Sequence, residues 1–155
     1  MIVIKAVTAA NVFDVCELTT NADGIGTTME EWLCCNATSL AEAKYYPEMK
    51  PWALYDDATL VGFVMYRQTA AQPRLATICR LMIDHRFQGR GRGKQALAAI
   101  LTFLGEQGVE TVEIMVDDAN QRAKHLYQEA GFTFTGKVDH GEYYYRRKVG
   151  AADEA

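Results

Sequence analysis

No two of the four cysteines (Cys16, Cys34, Cys35, Cys79) stand in a CxxC spacing, and the three histidines (His85, His125, His140) are scattered. The ligand pattern of a zinc site is therefore missing, no metal is expected, and the thiols read as reduced and mostly buried. Long apolar runs are missing too. The opening MIVIKAVTAANVFDV carries Lys5 and Asp14 where a signal peptide would stay apolar. A cytoplasmic protein with no membrane contact is the expectation. Only 3 prolines occur, and no Pro/Gly/Ser linker, repeat or low-complexity tract divides the chain. That leaves one domain over 1–149, with the GAADEA segment at 150–155 expected to be a disordered tail. Finally, 16 Lys and Arg stand against 20 Asp and Glu, a net charge of −4. Phosphate neutralisation needs the opposite balance, so a general nucleic-acid binder is excluded.

What is present suffices for a core: 155 residues, 49% of them hydrophobic. The charge is unevenly spread. Residues 1–60 hold nine acids against Lys5, Lys44 and Lys50, a net of −6, while residues 61–155 hold 11 acids and 13 bases, a net of +2.

Periodicity predicts an α/β domain with a mixed sheet. Strands are expected at 2–7, 52–56, 60–67, 75–84, 111–116, 132–136 and 141–149, the 75–84 strand being apolar nearly throughout and therefore central. Helices are expected over 8–19 with Thr8 as a cap, in a short stretch from Ser39 ending before Pro47, after the glycine-rich loop up to Gly108, and over 120–130 with Gly131 as a C-terminal cap. EYYYRRK (142–148) alternates like an edge strand, and its three tyrosines could line a substrate channel or a dimer face.

The segment LMIDHRFQGRGRGK (81–94) is the most informative. A central strand runs into a loop with three alternating glycines and then a helix, which turns backbone N–H groups toward an anion. Arg86, Arg90, Arg92 and Lys94 add positive charge, with no acid after Asp84. A phosphate or pyrophosphate is the expected ligand. The P-loop pattern fails at Gln88 and Gln95. Gly91, Gly93 and Ala96 satisfy GxGxx(G/A), but too far from the strand end for a dinucleotide fold.

Gln88-x-x-Gly91-x-Gly93 resembles the Q/RxxGxG/A pyrophosphate loop of the GNAT superfamily of acyl-CoA N-acyltransferases. Downstream, Asn120, Ala123, Tyr127 and Gly131-Phe132 in NQRAKHLYQEAGF resemble that superfamily's N-x-x-A-x-x-x-Y-x-x-x-G-F signature. Asn120, Ala123 and Tyr127 are three and four residues apart, so they share a helix face. By periodicity alone Tyr127 reads as a core aromatic; the accompanying loop favours a functional one. The stretch from Leu33 to Pro47, LCCNATSLAEAKYYP, is similar to the short bacterial spermine/spermidine acetyltransferases, in an N-A-x-S-L-A-E-A segment running from Asn36 to Ala43.

The resemblance implies a GNAT fold of about seven strands and four helices, acetyl-CoA as cosubstrate without a metal, and a homodimer as one assembly. It implies that the backbone of Met82 and Ile83 pairs with the pantetheine arm and that Gln88, Gly89, Arg90, Gly91, Arg92, Gly93 and Lys94 hold the pyrophosphate. Asn120 would hydrogen-bond the pantetheine, and Tyr127 would act as general acid toward the sulfur. Acetyl transfer to an alkyl amine, whose pKa is about 10.4, needs loss of a proton, a polarised carbonyl and protonation of the leaving thiolate. The base is open between a carboxylate and a water chain. For the substrate ammonium, Glu42 is the first candidate, with Glu30 and Glu31 behind it. Cys79 reads as a core residue, and His85 as a phosphate contact or an exposed loop residue. The expected acceptor is a polyamine, spermidine or spermine, attacking directly in a ternary complex. Another amine (aminoglycoside, small amine or protein amino group) and a non-catalytic CoA-binding module are the alternatives. In the polyamine case, the acidic first half suits a polycation and the basic loop suits the cofactor.

Overall fold

The computed structural model describes residues 1–150; of the tail expected over 150–155, all but Gly150 lies outside them. Seven strands form one sheet: β1 (Ile2–Ala6), β2 (Met49–Asp56), β3 (Thr59–Arg67), β4 (Leu75–Ile83), β5 (Thr111–Asp117), β6 (Thr133–Asp139) and β7 (Glu142–Lys148). The helices are α1 (Val12–Glu17), α2 (Asn36–Tyr45), α3 (Arg92–Glu106) and α4 (Gln121–Glu129). The strand order is β1-β2-β3-β4-β5-β7-β6. All neighbours are antiparallel except β4 and β5. The predicted element order and the central place of β4 are both found.

Several local expectations are corrected. The first helix is shorter than 8–19, and Thr8 sits in the turn before it, accepting the Ala10 N–H at 3.2 Å. The second helix starts earlier, with Cys35 at its N-cap, so Ser39 is buried inside the helix and does not cap it. The 142–148 strand is not an edge: β7 lies between β5 and β6, and β6, exposed along its whole length, forms the margin. Tyr145 turns into the core and Tyr143 packs against it. Alternation leaves Tyr144 on the other face, where the Lys137 ammonium lies 4.1 Å from its ring centroid.

The sheet separates two apolar layers. Leu97, Ile100, Leu101 and Leu104 of α3 pack with Tyr127 of α4 on Val64, Ile78, Val112, Ile114 and Val116. On the other face, Val15 and Leu18 pack with Phe63, Met65 and Met82 beneath α1 and α2. The α1/α2 layer covers β2 to β4 only. The same face of β5 and β7 is left without a helix, and this opening positions the site.

Two glycines stop their helices as expected. Gly108 (φ +84°) follows α3 and Gly131 (φ +87°) follows α4, both in the left-handed region that a side chain would strain. Among the described residues, no helix is long and apolar enough to cross a membrane.

Candidate active site

β4 and β5 pair only from Leu75–Thr111 to Ile78–Ile114, although β4 runs on to Ile83 and β5 to Asp117. The ladder stops where β4 is bulged: Met65 faces Arg80 while Tyr66 faces Ile78, so Cys79 is an extra residue. Such a bulge bends its strand and strengthens the twist, and here it carries β4 away from β5. Between the diverging halves is a cavity of about 70 Å³ lined by Leu81, Val116, Asn120 and Tyr127, with Trp32 and Leu33 closing it from the α1–α2 loop.

Backbone direction follows from one hydrogen bond. The Asp84 N–H donates to Val61 O at 2.8 Å, so strand alternation also turns the Met82 N–H to β3. Leu81 and Ile83 then present their N–H groups to the gap. Of the two residues expected to pair with a pantetheine arm, Ile83 turns its N–H to the gap. Met82 is not: its backbone is committed to β3 and its side chain is buried under α2, with the Asn36 amide 3.8 Å from its sulfur. The other N–H that faces the gap is that of Leu81.

Past β4 the chain makes one turn of 3-10 helix, His85–Phe87, before the glycines. Asp84, almost wholly buried, organises this corner by accepting from Thr19 N–H (3.0 Å), Arg86 N–H (3.0 Å) and Arg86 Nε (2.8 Å). Burial alone would raise its carboxyl pKa, but these donors hold it below the usual carboxylate value. Gly91, at φ +74°, is the N-cap of α3, and the first intrahelical bond runs from Gln95 N–H to Gly91 O. The N–H groups of Arg92, Gly93 and Lys94 are thereby left at the positive end of a fifteen-residue helix. A Cβ at Gly89 or Gly91 would meet nothing within 4 Å, so the space above the loop is open.

The loop side chains divide. Gln88 Nε2 donates to Ile83 O at 2.9 Å, and Arg92 pairs with Asp56 at 3.0 Å while stacking on Phe87. Both side chains brace the loop, and what they can offer an anion is their backbone N–H. Arg90 and Lys94 are exposed and have no ion pair among the described residues, which makes them the free cations here. His85 turns toward the α1–α2 loop, donating its N–H to Thr19 O and packing against Gly24, away from the glycines.

From α4, Asn120 Oδ1 caps the helix by accepting the Ala123 N–H at 3.2 Å, which leaves its Nδ2 group as a donor toward the cavity. Tyr127 is only 8% exposed, and its hydroxyl has no hydrogen-bond partner among the described residues. Burial pushes its pKa up to about 12, so it stays protonated at neutral pH. These donors fit a long anionic ligand with amide and thioester groups: N–H groups for phosphates, Asn120 Nδ2 for an amide oxygen and Tyr127 for a sulfur.

The acidic candidates fare unequally. Glu42 is paired with Arg80 at 3.0 Å, both side chains two-thirds or more buried. Glu30 accepts from the Thr20 N–H and hydroxyl, each at 3.0 Å, and from the Thr19 hydroxyl, pinning the segment after α1. Glu31 is exposed and does not line the cavity. The carboxylates that do line it are Asp117 and Glu142. Cys34 Sγ lies 3.4 Å from Ser39 Oγ, and burial pushes the Cys79 thiol up, away from nucleophilic use. Among the described residues, no three His, Cys, Asp or Glu side chains gather as a metal site would require.

Residues 17–132 match the model of the Acetyltransferase (GNAT) family. The chain belongs to the GNAT family. It is an N-acetyltransferase whose acetyl donor is acetyl-CoA, and the donor set above fits that cosubstrate. Among curated GNAT relatives, the spermine/spermidine N(1)-acetyltransferase of Bacillus subtilis (strain 168) is 34% identical over 106 residues, covering 64% of this chain and 70% of that protein. A mycothiol acetyltransferase of Propionibacterium freudenreichii is 36% identical over 77 residues, covering 48% of this chain and 24% of that larger protein. A solved structure of Vibrio cholerae spermidine N-acetyltransferase with CoA and spermine superposes with a TM-score of 0.71 at 15% identity, over 96% of this chain and 95% of the other. At that identity the likeness shows the GNAT fold alone.

Proposed function

We propose that this N-acetyltransferase acts on a primary amine of a polyamine of the spermidine or spermine kind, by direct attack with both substrates bound. The observation that carries direct attack is the two-sidedness of the gap. Val112, Ile114 and Val116 of β5 face the α3/α4 layer, which also holds Tyr127. Alternation therefore turns Met115 and Asp117 to the open α1/α2 side. A thioester approaching along α4 and an amine approaching over β5 and β7 meet where β4 and β5 part. The polyamine assignment is supported by the identity to the Bacillus relative and by two carboxylates, Asp117 and Glu142, that have no ion pair among the described residues.

Acetyl-CoA supplies an acyl group activated as a thioester. The chain's own residues do the rest. N–H groups of Gly89 to Lys94 and the Arg90 and Lys94 side chains hold phosphates. Asn120 Nδ2 donates to the pantetheine. The Leu81 and Ile83 N–H groups face the gap, where they fix the arm and polarise the carbonyl. Tyr127 donates its hydroxyl hydrogen toward the sulfur as negative charge gathers there. The amine sheds its proton to water or to a carboxylate. No covalent enzyme intermediate is required, in keeping with the raised Cys79 thiol.

The test is thiol release from acetyl-CoA by the purified chain. Turnover with spermidine or spermine is the expected result. Turnover with an aminoglycoside or peptide amine but with neither polyamine would overturn the acceptor class. Binding of acetyl-CoA with no turnover of any amine would favour a regulatory module.

A further inference from the structure

On the open face of β5 and β7, the cross-strand pairs run Glu113–Arg146, Met115–Tyr144 and Asp117–Glu142 toward the gap. The first pair is satisfied, with Arg146 2.7 Å from Glu113. The last sets two carboxylates directly opposite each other. Like charges in that position destabilise a sheet. No cation lies within ion-pair distance of either one among the described residues, whereas Glu42, Asp56, Asp84 and Asp118 each have one. Asp117 Oδ1 accepts the Ala119 N–H at 2.8 Å, which fixes the carboxylate and leaves Oδ2 without a donor among the described residues.

A second observation lies in the same cavity. The Tyr127 side chain is more than nine-tenths buried, its hydroxyl is unpartnered, and it lines the space that Asp117 and Glu142 also line. Only Trp52 Nε1 is sealed without a partner among the described residues, so the Tyr127 hydroxyl opens on the cavity. A cavity with a buried, unsatisfied donor on one side and two unneutralised carboxylates on the other is complementary to a reacting group with a cation attached to it.

We infer that Asp117 and Glu142 together form the subsite for an ammonium group of the acceptor, a few methylenes from the amine that reacts. An ammonium has three donors, enough to bridge both carboxylates and cancel their repulsion. Glu42 does not serve, because Arg80 already neutralises it. This subsite rests on the polyamine reading and deepens it: selection is for an amine with a second cationic nitrogen.

The experiment compares spermidine with propylamine, a monoamine, using the full chain and the variants Asp117→Asn, Glu142→Gln and both together. The expected result is a KM for spermidine raised about fivefold by each single change and about twentyfold by the double, with kcat moving far less. The preference for spermidine over propylamine falls in step. Glu106→Gln, the same charge change at the far end of α3, leaves the preference where it was. Because the pair repels, the double variant should melt no lower than the parent, so a lost preference is not lost folding. An unchanged KM in a parent that does acetylate spermidine overturns this subsite and leaves the polyamine assignment standing. A parent that acetylates propylamine or another amine but no polyamine overturns both.

Discussion

Replacing Tyr127 with phenylalanine tests the chemistry most directly, because the structure separates its catalytic from its structural cost. The hydroxyl has no partner among the described residues, so its removal breaks no internal bond and the ring keeps its packing against Phe132, 6.2 Å away between centroids. The melting temperature should move by less than about 3 °C. In the proposed reaction the hydroxyl faces a sulfur that acquires charge. A hydrogen bond to a charged group contributes about 1.5–3 kcal/mol, which corresponds to a loss in kcat of roughly tenfold to 150-fold. The raised pKa argues against a larger effect. At about 12, the phenol is the weaker acid by about 3.5 pKa units relative to an ordinary thiol, so complete proton transfer to the sulfur is uphill. In the proposed mechanism Tyr127 is therefore a strong donor during bond breaking, and the thiolate takes its final proton from water. The assay is steady-state kcat and kcat/KM between pH 6 and 10. Parent and variant should show curves of one shape displaced vertically, since Tyr127 does not titrate in that window. A variant within about twofold of the parent would refute the role. So would an alkaline limb near pH 8–9 that is present in the parent and absent from the variant, because that would mean Tyr127 ionises far below the value its burial imposes.

Other outcomes follow from the supports of the gap. Asp84→Asn strips charge from three hydrogen bonds that tie the end of α1 to the glycine loop. It should cost about 2–4 kcal/mol, or roughly 5–15 °C in thermal melting; a shift of under about 2 °C would show that the corner holds without the charge. Because the folded Asp84 pKa is depressed, its contribution is complete above the unfolded value near ~3.9 and is lost as pH falls through the lower folded value. The parent's excess stability over Asp84→Asn should thus shrink under acid and stay flat from about pH 5 to 8. Gly62→Ala places a Cβ 2.4 Å from the Met82 carbonyl oxygen, a clash with backbone that only a shift of β4 relieves. A loss of about 1–3 kcal/mol and a raised KM for acetyl-CoA are expected, read by denaturant titration and kinetics. Parent-like values in both would mean that β3 and β4 have slack at the gap.

Most of the element order was legible because periodicity is local. The apolar stripe of α3 and the near-continuous run of β4 each declare their burial within a dozen residues. The glycine loop and the Asn120–Tyr127 helix face were legible for the same reason: each is one continuous segment. What escaped the sequence depends on distant partners. β2 begins at Met49, earlier than expected, although Pro51 argues against a strand. Its ring nitrogen faces beyond the end of β1, whose pairing reaches only Trp52, so no ladder bond is lost. The alternation of β7 resembles that of an edge strand, yet nothing within it says that β6 will lie outside. Glu42 stands out in the sequence, but nothing near it announces its partner Arg80, 38 residues away. Arg92 likewise turned to Asp56, across 36 residues. Asp117 and Glu142 were missed because each is an ordinary strand-end acid until the register sets them opposite each other. The one available hint was an acid three residues before Asn120, at the end of a strand that leads into the signature helix.

The extra residue at Cys79 has a consequence for how this enzyme can change. Before it, β4 points Ala76 and Ile78 into the layer under α3; after it, Arg80 and Met82 point the other way, toward α2. A single added residue is absorbed by Cys79 and Arg80 sharing the α2 face, and what it sets is the bend that parts this half-strand from β5. Substitutions beyond the bulge alter one wall position each and leave the others in place. Deleting Cys79 would restore strict alternation from Ile78 to Arg80, leaving each side chain beyond on its present face but straightening β4, so that it could pair on along β5 and close the gap. Acceptor preference is therefore open to drift by point substitution, while the length of β4 is held fixed, and lineages that diverge in substrate should differ here in residue type but not in count.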